Sequence, residues 1–491
     1  MTTLLIRNVA VRRQSGLDVR VGPDTILAVE SRLRPEPGEH VIDGHGGALV
    51  PGLHDHHVHL RATVAARESV DVTAVKTPAE FDRVVAAAAT AAAAPGPAPG
   101  WVRVVGWHEP AAGLLGRARL DALTGPVPVR VQHRSGAMWV LNSAALERAG
   151  ADDCDLPGIE RDEHGEPTGR LLRLDGWLRE RLRTGRDPDS FAAALRRYAA
   201  DCLRLGITGW TDATPDRDPA DANEFTGLAA TGVFRQRLVL MMPAQKPAAE
   251  RHPGTAASTG TRRVTLGPVK VMLDDIELPA PDRLASTIRA AHTSGRAVAI
   301  HCVTAEQLVV TASAIEQAGP PGRACAGPDR IEHAGIVPPG YAHRLARLGL
   351  AVVTQPGFIA ARGDSYEREV APAEQDWLYP VASLMRAGVT VAAGTDAPFG
   401  PGNPWDCIAA AVARQTPSGH VLSPAERVTA RTALKMFLAA PDDVRHTRTI
   451  SPGQPADLCL LHCPLAEALA APSAAGVRAV ISAGQLDPSS S

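Results

Sequence analysis

Pro51-Gly52-Leu53-His54-Asp55-His56-His57-Val58-His59 follows the apolar run Ala48 to Val50 and places four histidines within six positions. In extended chain, residues two apart point to the same face, so His57 and His59 present two imidazoles to one side and His54 and His56 form a second pair on the opposite phase. One pair lines a mouth and the other faces elsewhere. His-x-His at a strand end is a common way to hold a divalent metal; the competing reading is a polar loop that happens to be histidine-rich. If the strand opens a barrel, the pair sits at the C-terminal mouth, where barrel active sites lie.

Downstream, apolar strand-like runs alternate with Ala/Leu/Arg-rich stretches of helical period. The strands expected are Trp101 to Trp107, Val127 to Gln132, Ile207 to Ala213, Arg237 to Met242, Pro268 to Met272, Ala297 to His301, Arg330 to His333, Ala351 to Gln355 and Thr390 to Thr395. Helices are expected over Thr77 to Ala94, Ser190 to Leu205, Ala280 to Ser294, Ala305 to Ala318, Gly340 to Leu348 and Pro424 to Ala439. Such alternation implies βαβ units and a parallel sheet, which over this length favours a closed (β/α)8 barrel of the TIM type. With the run before His54 there are ten strands for eight places, so two belong to insertions, placed between 100 and 245. The first fifty residues read as short strands (Leu4 to Val9, Val19 to Val21, Ile26 to Val29, His40 to Asp43), and Asp457 to Leu461 and Val477 to Ile481 match them in character. The expected organisation is a β-sandwich domain built from both termini, 1–52 plus 440–491, around a catalytic barrel over 53–439.

The chain of 491 residues carries 51 Lys+Arg against 53 Asp+Glu, which leaves no electrostatic footprint for nucleic acid or an anionic membrane. The partner expected is a small molecule. Seven cysteines, odd in number and never in a CxxC pair, argue for reduced thiols and a cytoplasmic home. Neither a secretory leader nor an apolar run long enough to span a membrane is expected.

Three further polar residues end apolar strands: His301 closes Gly-Arg-Ala-Val-Ala-Ile-His, His333 closes Arg-Ile-Glu-His, and Asp396 closes Val-Thr-Val-Ala-Ala-Gly-Thr-Asp. Each alone has a structural explanation, but at successive strand ends of one barrel they converge on a site suited to zinc. Lys270, in Leu-Gly-Pro-Val-Lys-Val-Met-Leu, is one of only four lysines in the chain. Lysine is rarely buried without a partner. Two readings stand: an amine that adds carbon dioxide to become a carbamate bridging two cations, or a structural ion pair with Asp274 or Asp275.

The set PGLHDHHVHL, VKVML, AIHC, RIEHAG and GTDAPF, in this order, resembles the amidohydrolase superfamily of metal-dependent hydrolases, in the YtcJ-like branch that includes N-substituted formamide deformylase. The resemblance extends to QHRSGAMWVLNSAAL (132–146), TQPGF (354–358), the segment 378–405 and SPGQPADLCLL (451–461). It implies a (β/α)8 barrel with a β-sandwich from both termini. It also implies that His57, His59, Lys270, His301, His333 and Asp396 are the metal ligands, that His54 and His56 are not, and that Lys270 is the usually carboxylated bridging lysine. Asp396 would be the general acid/base and His333 a ligand of the outer metal. The resemblance further implies one or two divalent ions per protomer, zinc by preference, and a homodimer.

The activity expected is hydrolysis of a non-peptide carbon–nitrogen bond in an amide, formamide, imide or cyclic ureide, by water activated at the metal. Trp107, His108, His133, Trp139, Phe358 and Arg362 are the residues expected to contact substrate, with core packing the alternative for the aromatic ones. The rival enzymatic reading is a mononuclear zinc deaminase in which His57, His59, His301 and Asp396 hold one ion, Glu306 shuttles protons and Lys270 is idle. A non-catalytic barrel that only binds a ligand is the third reading.

Overall fold

Eight parallel strands follow one another around a barrel in the computed structural model, which describes residues 3–93, 101–182, 188–215, 217–243, 263–274, 277–322 and 324–487. In chain order they are β1 (Leu53–Val58), β2 (Ile207–Asp212), β3 (Arg237–Pro243), β4 (Val264–Val271), β5 (Val298–Cys302), β6 (Arg330–His333), β7 (Ala351–Thr354) and β8 (Thr390–Ala393). Each pairs with its sequence neighbour in parallel register. The seam between β8 and β1 is closed by Asp396 N–H to His57 O (2.7 Å) and His59 N–H to Ala397 O (2.9 Å). Val298, Ile300, Cys302, Ile331, Val352 and Val391 pack outward with the helices in the largest apolar core. Burial on both faces makes these strands near-continuous apolar runs in sequence. Ala213, Met241 and Ala299 form a separate small cluster.

Of the ten expected strands, these eight build the barrel, and Ile207–Asp212 and Arg237–Pro243 are barrel strands although they lie in the stretch expected to hold the insertions. The other two, Val102–Trp107 and Val129–His133, belong to a second compact unit, Leu60–Ala194, inserted directly after His59. That unit has its own six-stranded sheet in the order Ile159–Arg161, Pro167–Leu172, Met138–Leu141, Val129–His133, Val102–Trp107, Val70–Asp71. Its helix Pro78–Ala92 starts where Thr77 accepts a hydrogen bond from Glu80 N–H and Pro78 takes the first helical position. This local βαβ pattern is the same as the barrel's, so periodicity does not separate the two. The expected end of that helix at Ala94, and the Pro/Gly stretch to Gly100, lie outside the described residues.

The first unit, Met1–His59 with Leu195–Ser491, also contains an eight-stranded mixed sheet drawn from both ends of the chain. Its order is Gln485–Leu486, Val477–Ser482, Leu458–Leu461, Ala48–Pro51, Leu4–Val11, Gln14–Val21, Ile26–Glu30, with His40–Asp43 also paired to Leu4–Val11. Leu458–Leu461 runs antiparallel to Ala48–Pro51, two residues before β1, so the sheet anchors the strand that carries the histidines. No helix among the described residues is long and apolar enough to cross a membrane.

Candidate metal centre

The pairing of β1 with β2 slips where the histidines lie: Asp55 faces Trp210, yet Val58 faces Asp212, so β1 carries one extra residue there. Such a bulge changes the phase of the pleat. The strict alternation expected of His54/His56 against His57/His59 is broken for this reason. His54 Nε2 meets Thr211 Oγ1 at 2.9 Å, and His56 lies in electrostatic reach of Arg330 and Glu332. Glu332 is also the partner of His57. Gly394, after β8, packs so tightly on His57 that a Cβ there would lie 2.5 Å from the His57 Cβ, which explains a glycine two residues before Asp396.

Two of the other expected ligands leave their strands by left-handed turns. His333 has φ 71° and Asp396 φ 56°. In a regular strand His333 would point with Ile331 into the outer core; the turn re-aims it, so that its ring stands 4.8 Å from that of His57 and 4.6 Å from that of His301. Asp396 Oδ1 is 3.2 Å from His59 Nε2 and 3.7 Å from His57 Nε2, and Asp396 Oδ2 is 3.9 Å from His333 Nδ1. His57, His333 and Asp396 each offer a ligand atom within 4.8 Å of the others, and all three are buried.

Electrostatics prepare these groups as ligands. Burial holds His57 well below the ordinary imidazole range, helped by Lys270 and opposed by Asp396, and burial also lowers His333. Both are therefore neutral at pH 7, as a ligand must be. Burial opposes ionisation of Asp396, yet contact with His59 and the nearby imidazoles of His57 and His333 hold its carboxyl below the usual range. His57 Nε2 and Asp396 Oδ1 are buried without a hydrogen bond of proper geometry. An orphaned imidazole nitrogen facing an ionised carboxylate oxygen fits a divalent cation between them.

Outer partners fix the tautomers. His57 Nδ1 bonds to Glu332, whose other oxygen accepts from Arg330 Nε at 2.6 Å. His333 Nδ1 bonds to Gln355 Oε1 at 2.7 Å. His59 Nδ1 lies 3.4 Å from Thr214 Oγ1, which donates to Asp212 at 2.6 Å, and Arg217 pairs with that same buried Asp212. With the Nδ1 side occupied, the Nε2 lone pair is directed to the ion, the arrangement typical of metal-bound histidine. Asp55 accepts from Thr395 N–H (2.9 Å) and Thr395 Oγ1–H (2.5 Å) and so holds the turn that presents Asp396. Glu332, Gln355, Thr214 and Asp55 were not anticipated from sequence. Only Glu332 carries a signal there: Arg330 and Glu332 are opposite charges two apart, and so on one face, of a short strand that ends in an expected ligand.

The structure brings His57, His59, His301, His333, Asp396 and Lys270 to one end of the barrel. Lys270 is 4% exposed and lies within electrostatic reach of Glu332 and Asp396, and burial lowers its pKa. Among the described residues it forms no ion pair, so the expected alternative of a bridge to Asp274 is not met; Asp275 lies outside them. Glu306 is exposed in the first turn of helix Ala305–Ala318, whose start is closed by a Thr304/Gln307 capping box, so it does not stand among the ligands as a deaminase shuttle would.

Phe358 is buried and carries the Arg362 guanidinium 4.6 Å over its ring, and Arg362 donates to Phe399 O. Phe399 in turn packs on His59, with centroids 5.5 Å apart. The four expected substrate contacts in Leu60–Ala194 form groups of their own. Trp107 and Trp139 are both packed into that unit's apolar cores, with their indole N–H groups bonded to Gly113 O and Asp175, so packing accounts for them. His133 bridges Glu109 (3.0 Å) and Ser135 (2.7 Å), with the His108 ring 6.1 Å away.

A family model described as amidohydrolase family matches residues 40–486. The chain belongs to the amidohydrolase family. This amidohydrolase is therefore a hydrolase of non-peptide carbon–nitrogen bonds, in the YtcJ-like branch. It is 27% identical over 491 residues to N-substituted formamide deformylase of Arthrobacter pascens, covering 89% of this chain and 87% of that one. To the putative amidohydrolase YtcJ of Bacillus subtilis it is 26% identical over 411 residues, covering 78% and 76%. Among solved structures, an uncharacterized metal-dependent hydrolase from Pyrococcus horikoshii shares the fold with a TM-score of 0.72 at 18% identity, covering 94% of this chain and 97% of that one.

Proposed function

We propose that this amidohydrolase cleaves the carbon–nitrogen bond of a small amide, formamide, imide or cyclic ureide, with zinc held by His57, His59, His301, His333 and Asp396. The observation that carries this reading is the orphaned, buried pair of His57 Nε2 and Asp396 Oδ1 facing each other at 3.7 Å beside His333. Lys270, buried and without an ion pair among the described residues, would serve as a carbamate when a second ion is bound. The bound metal supplies a hydroxide nucleophile at neutral pH and polarises the scissile carbonyl.

The chain's own residues do the rest. Asp396, held ionised, takes the proton of the attacking water and returns it to the leaving nitrogen. Glu332 and Gln355 keep the His57 and His333 rings oriented, while burial keeps them neutral. The deformylase relative makes N-substituted formamides the first substrates to examine. The test is zinc-loaded protein against N-phenylformamide, hydantoin and dihydrouracil, scored by amine or acid release, with cytosine and adenine scored for ammonia. Turnover of at least one amide-type substrate and none of the aminated bases is expected. Ammonia release alone would move the assignment to a deaminase.

A further inference from the structure

The ligands of the centre are not equally open to solvent. The His57, His333 and Asp396 side chains are 1%, 5% and 8% exposed, whereas that of His59 is 14% exposed. His301 is also only half-buried. Solvent, and with it a substrate, therefore reaches the centre past His59 and His301. One apolar side chain borders that opening. The half-buried Phe399 ring meets the His59 ring in a T-shaped contact, with centroids 5.5 Å apart and an interplanar angle of 70°. His59 is its one ring partner among the described residues.

The loop that carries this ring has little freedom. Phe399 N–H and Gly400 N–H both donate to Asp396 O, at 2.8 and 3.1 Å, and Arg362 donates to Phe399 O while its guanidinium lies over Phe358. A Cβ at Gly400 would stand 2.3 Å from Thr395 O and 3.1 Å from Phe358 Cε1, so a glycine is needed for the chain to close this tightly behind the ring. Asn403 then caps helix Pro404–Ala413 through Trp405 N–H at 3.1 Å. Asp396 and Phe399 thus share one turn, and the hydrogen bonds that fix the carboxylate also fix the ring beside it. A lone apolar residue at a surface needs no explanation. This one is held rigidly against a metal ligand, on the side from which a substrate enters.

We propose that Phe399 is a specificity-determining residue of the hydrolysis proposed above, its ring forming the apolar wall on which a flat apolar group next to the scissile carbon–nitrogen bond packs. The inference rests on that hydrolytic reading. The His59 contact takes up one side of the phenyl, and the rest is left for a ligand to cover. Covering it with an aryl group removes apolar surface of both partners from water and adds the attraction between rings, whereas a methyl group in the same place covers little. The substrate class is therefore amides and formamides that bear an aryl group, ahead of their short alkyl counterparts.

The test measures kcat/KM of zinc-loaded wild type, Phe399→Ala and Phe399→Leu on N-phenylformamide and N-methylformamide. Alongside, calorimetric titration measures phenylphosphonate and methylphosphonate, which share a head group and offer no amide to cleave. The phenyl-to-methyl ratio is expected to fall about 10-fold or more from wild type to Phe399→Ala, in kcat/KM and in phosphonate affinity alike. The intrinsic difference between the two substrates cancels in that comparison. Phe399→Leu, which keeps the loop filled, is expected to retain zinc content and melting temperature and to fall between the two. Unchanged ratios in both variants would overturn the wall, as would equal losses on both members of each pair, which would make the ring a support of His59 alone. A wild type that hydrolyses neither formamide yet loses its preference for phenylphosphonate in Phe399→Ala would support the wall and refute the formamide reading. Neither turnover nor a phosphonate preference would refute both.

Discussion

Replacing Glu332 by glutamine changes one atom in a fully buried side chain and should uncouple zinc binding from packing. Glu332 serves two donors with two oxygens, His57 Nδ1–H on one and Arg330 Nε–H at 2.6 Å on the other. An amide has one oxygen. If that oxygen stays with Arg330, the amide NH2 faces His57 Nδ1, which must then accept; the ring proton moves to Nε2 and removes the lone pair a metal needs. If the oxygen turns to His57, the buried Arg330 loses its acceptor, leaving Nη2 to His56 O at 3.3 Å, at a cost of about 1–3 kcal/mol in stability. Partners of this kind are worth 10- to 100-fold in metal affinity, about 1.4–2.7 kcal/mol. Competition against a chromogenic zinc chelator near neutral pH reads the affinity, and a thermal melt of the metal-free protein reads the stability. Zinc affinity equal to wild type together with an unchanged melt would refute the claim that this carboxylate sets the His57 tautomer, whereas equal affinity with a lowered melt would show that the amide oxygen has stayed with His57 at the expense of Arg330.

Acid should unfold the metal-free protein early. His54 and His56 are buried and held well below the ordinary imidazole range by that burial, so the folded chain leaves both neutral while the unfolded chain protonates them below about pH 6.5. Their contribution is present above that pH and lost as pH falls, with a slope of up to about 2.7 kcal/mol per pH unit for two protons. His57 and His333 add to that slope in the same sense, so urea titrations between neutral pH and pH 5 should show it reduced in His56→Leu by up to one proton's share, about 1.4 kcal/mol per pH unit, and an unchanged slope would contradict the assignment. The buried Arg414 donates to the carbonyls of Leu378, Tyr379 and Leu422, and Tyr379 O also accepts from Val381 N–H at 2.9 Å, so Arg414→Met should strand the Leu378 and Leu422 carbonyls and destabilise the chain by about 2 kcal/mol or more. A urea midpoint shifted by only a few tenths of that would show that the clamp is not needed.

The barrel was legible because its strands are buried on both faces and so stand out as apolar runs, each followed by a helical stretch. The ligands were legible because they interrupt those runs at their C-terminal ends. What stayed hidden depends on geometry without a sequence period. The bulge at Asp55–Val58 leaves no trace in composition, yet it undoes the alternation that two His-x-His pairs suggest. Left-handed turns at His333 and Asp396 aim two ligands that regular strands would point elsewhere. Leu60–Ala194 repeats the barrel's own βαβ grammar, so only tertiary pairing shows that the strands ending at Trp107 and His133 lie outside the ring. Trp107 and Trp139 drew notice as aromatic residues in an aromatic-poor chain, and the structure uses them as packing.

The most direct test is the metal content per chain, by elemental mass spectrometry, of wild type and Lys270→Ala grown with zinc and bicarbonate. Close to two ions in the wild type, falling to one or fewer in the variant, is the result predicted for a centre that Lys270 bridges. Equal counts in both proteins would contradict the bridge, and a wild type that retains no metal would contradict the centre itself.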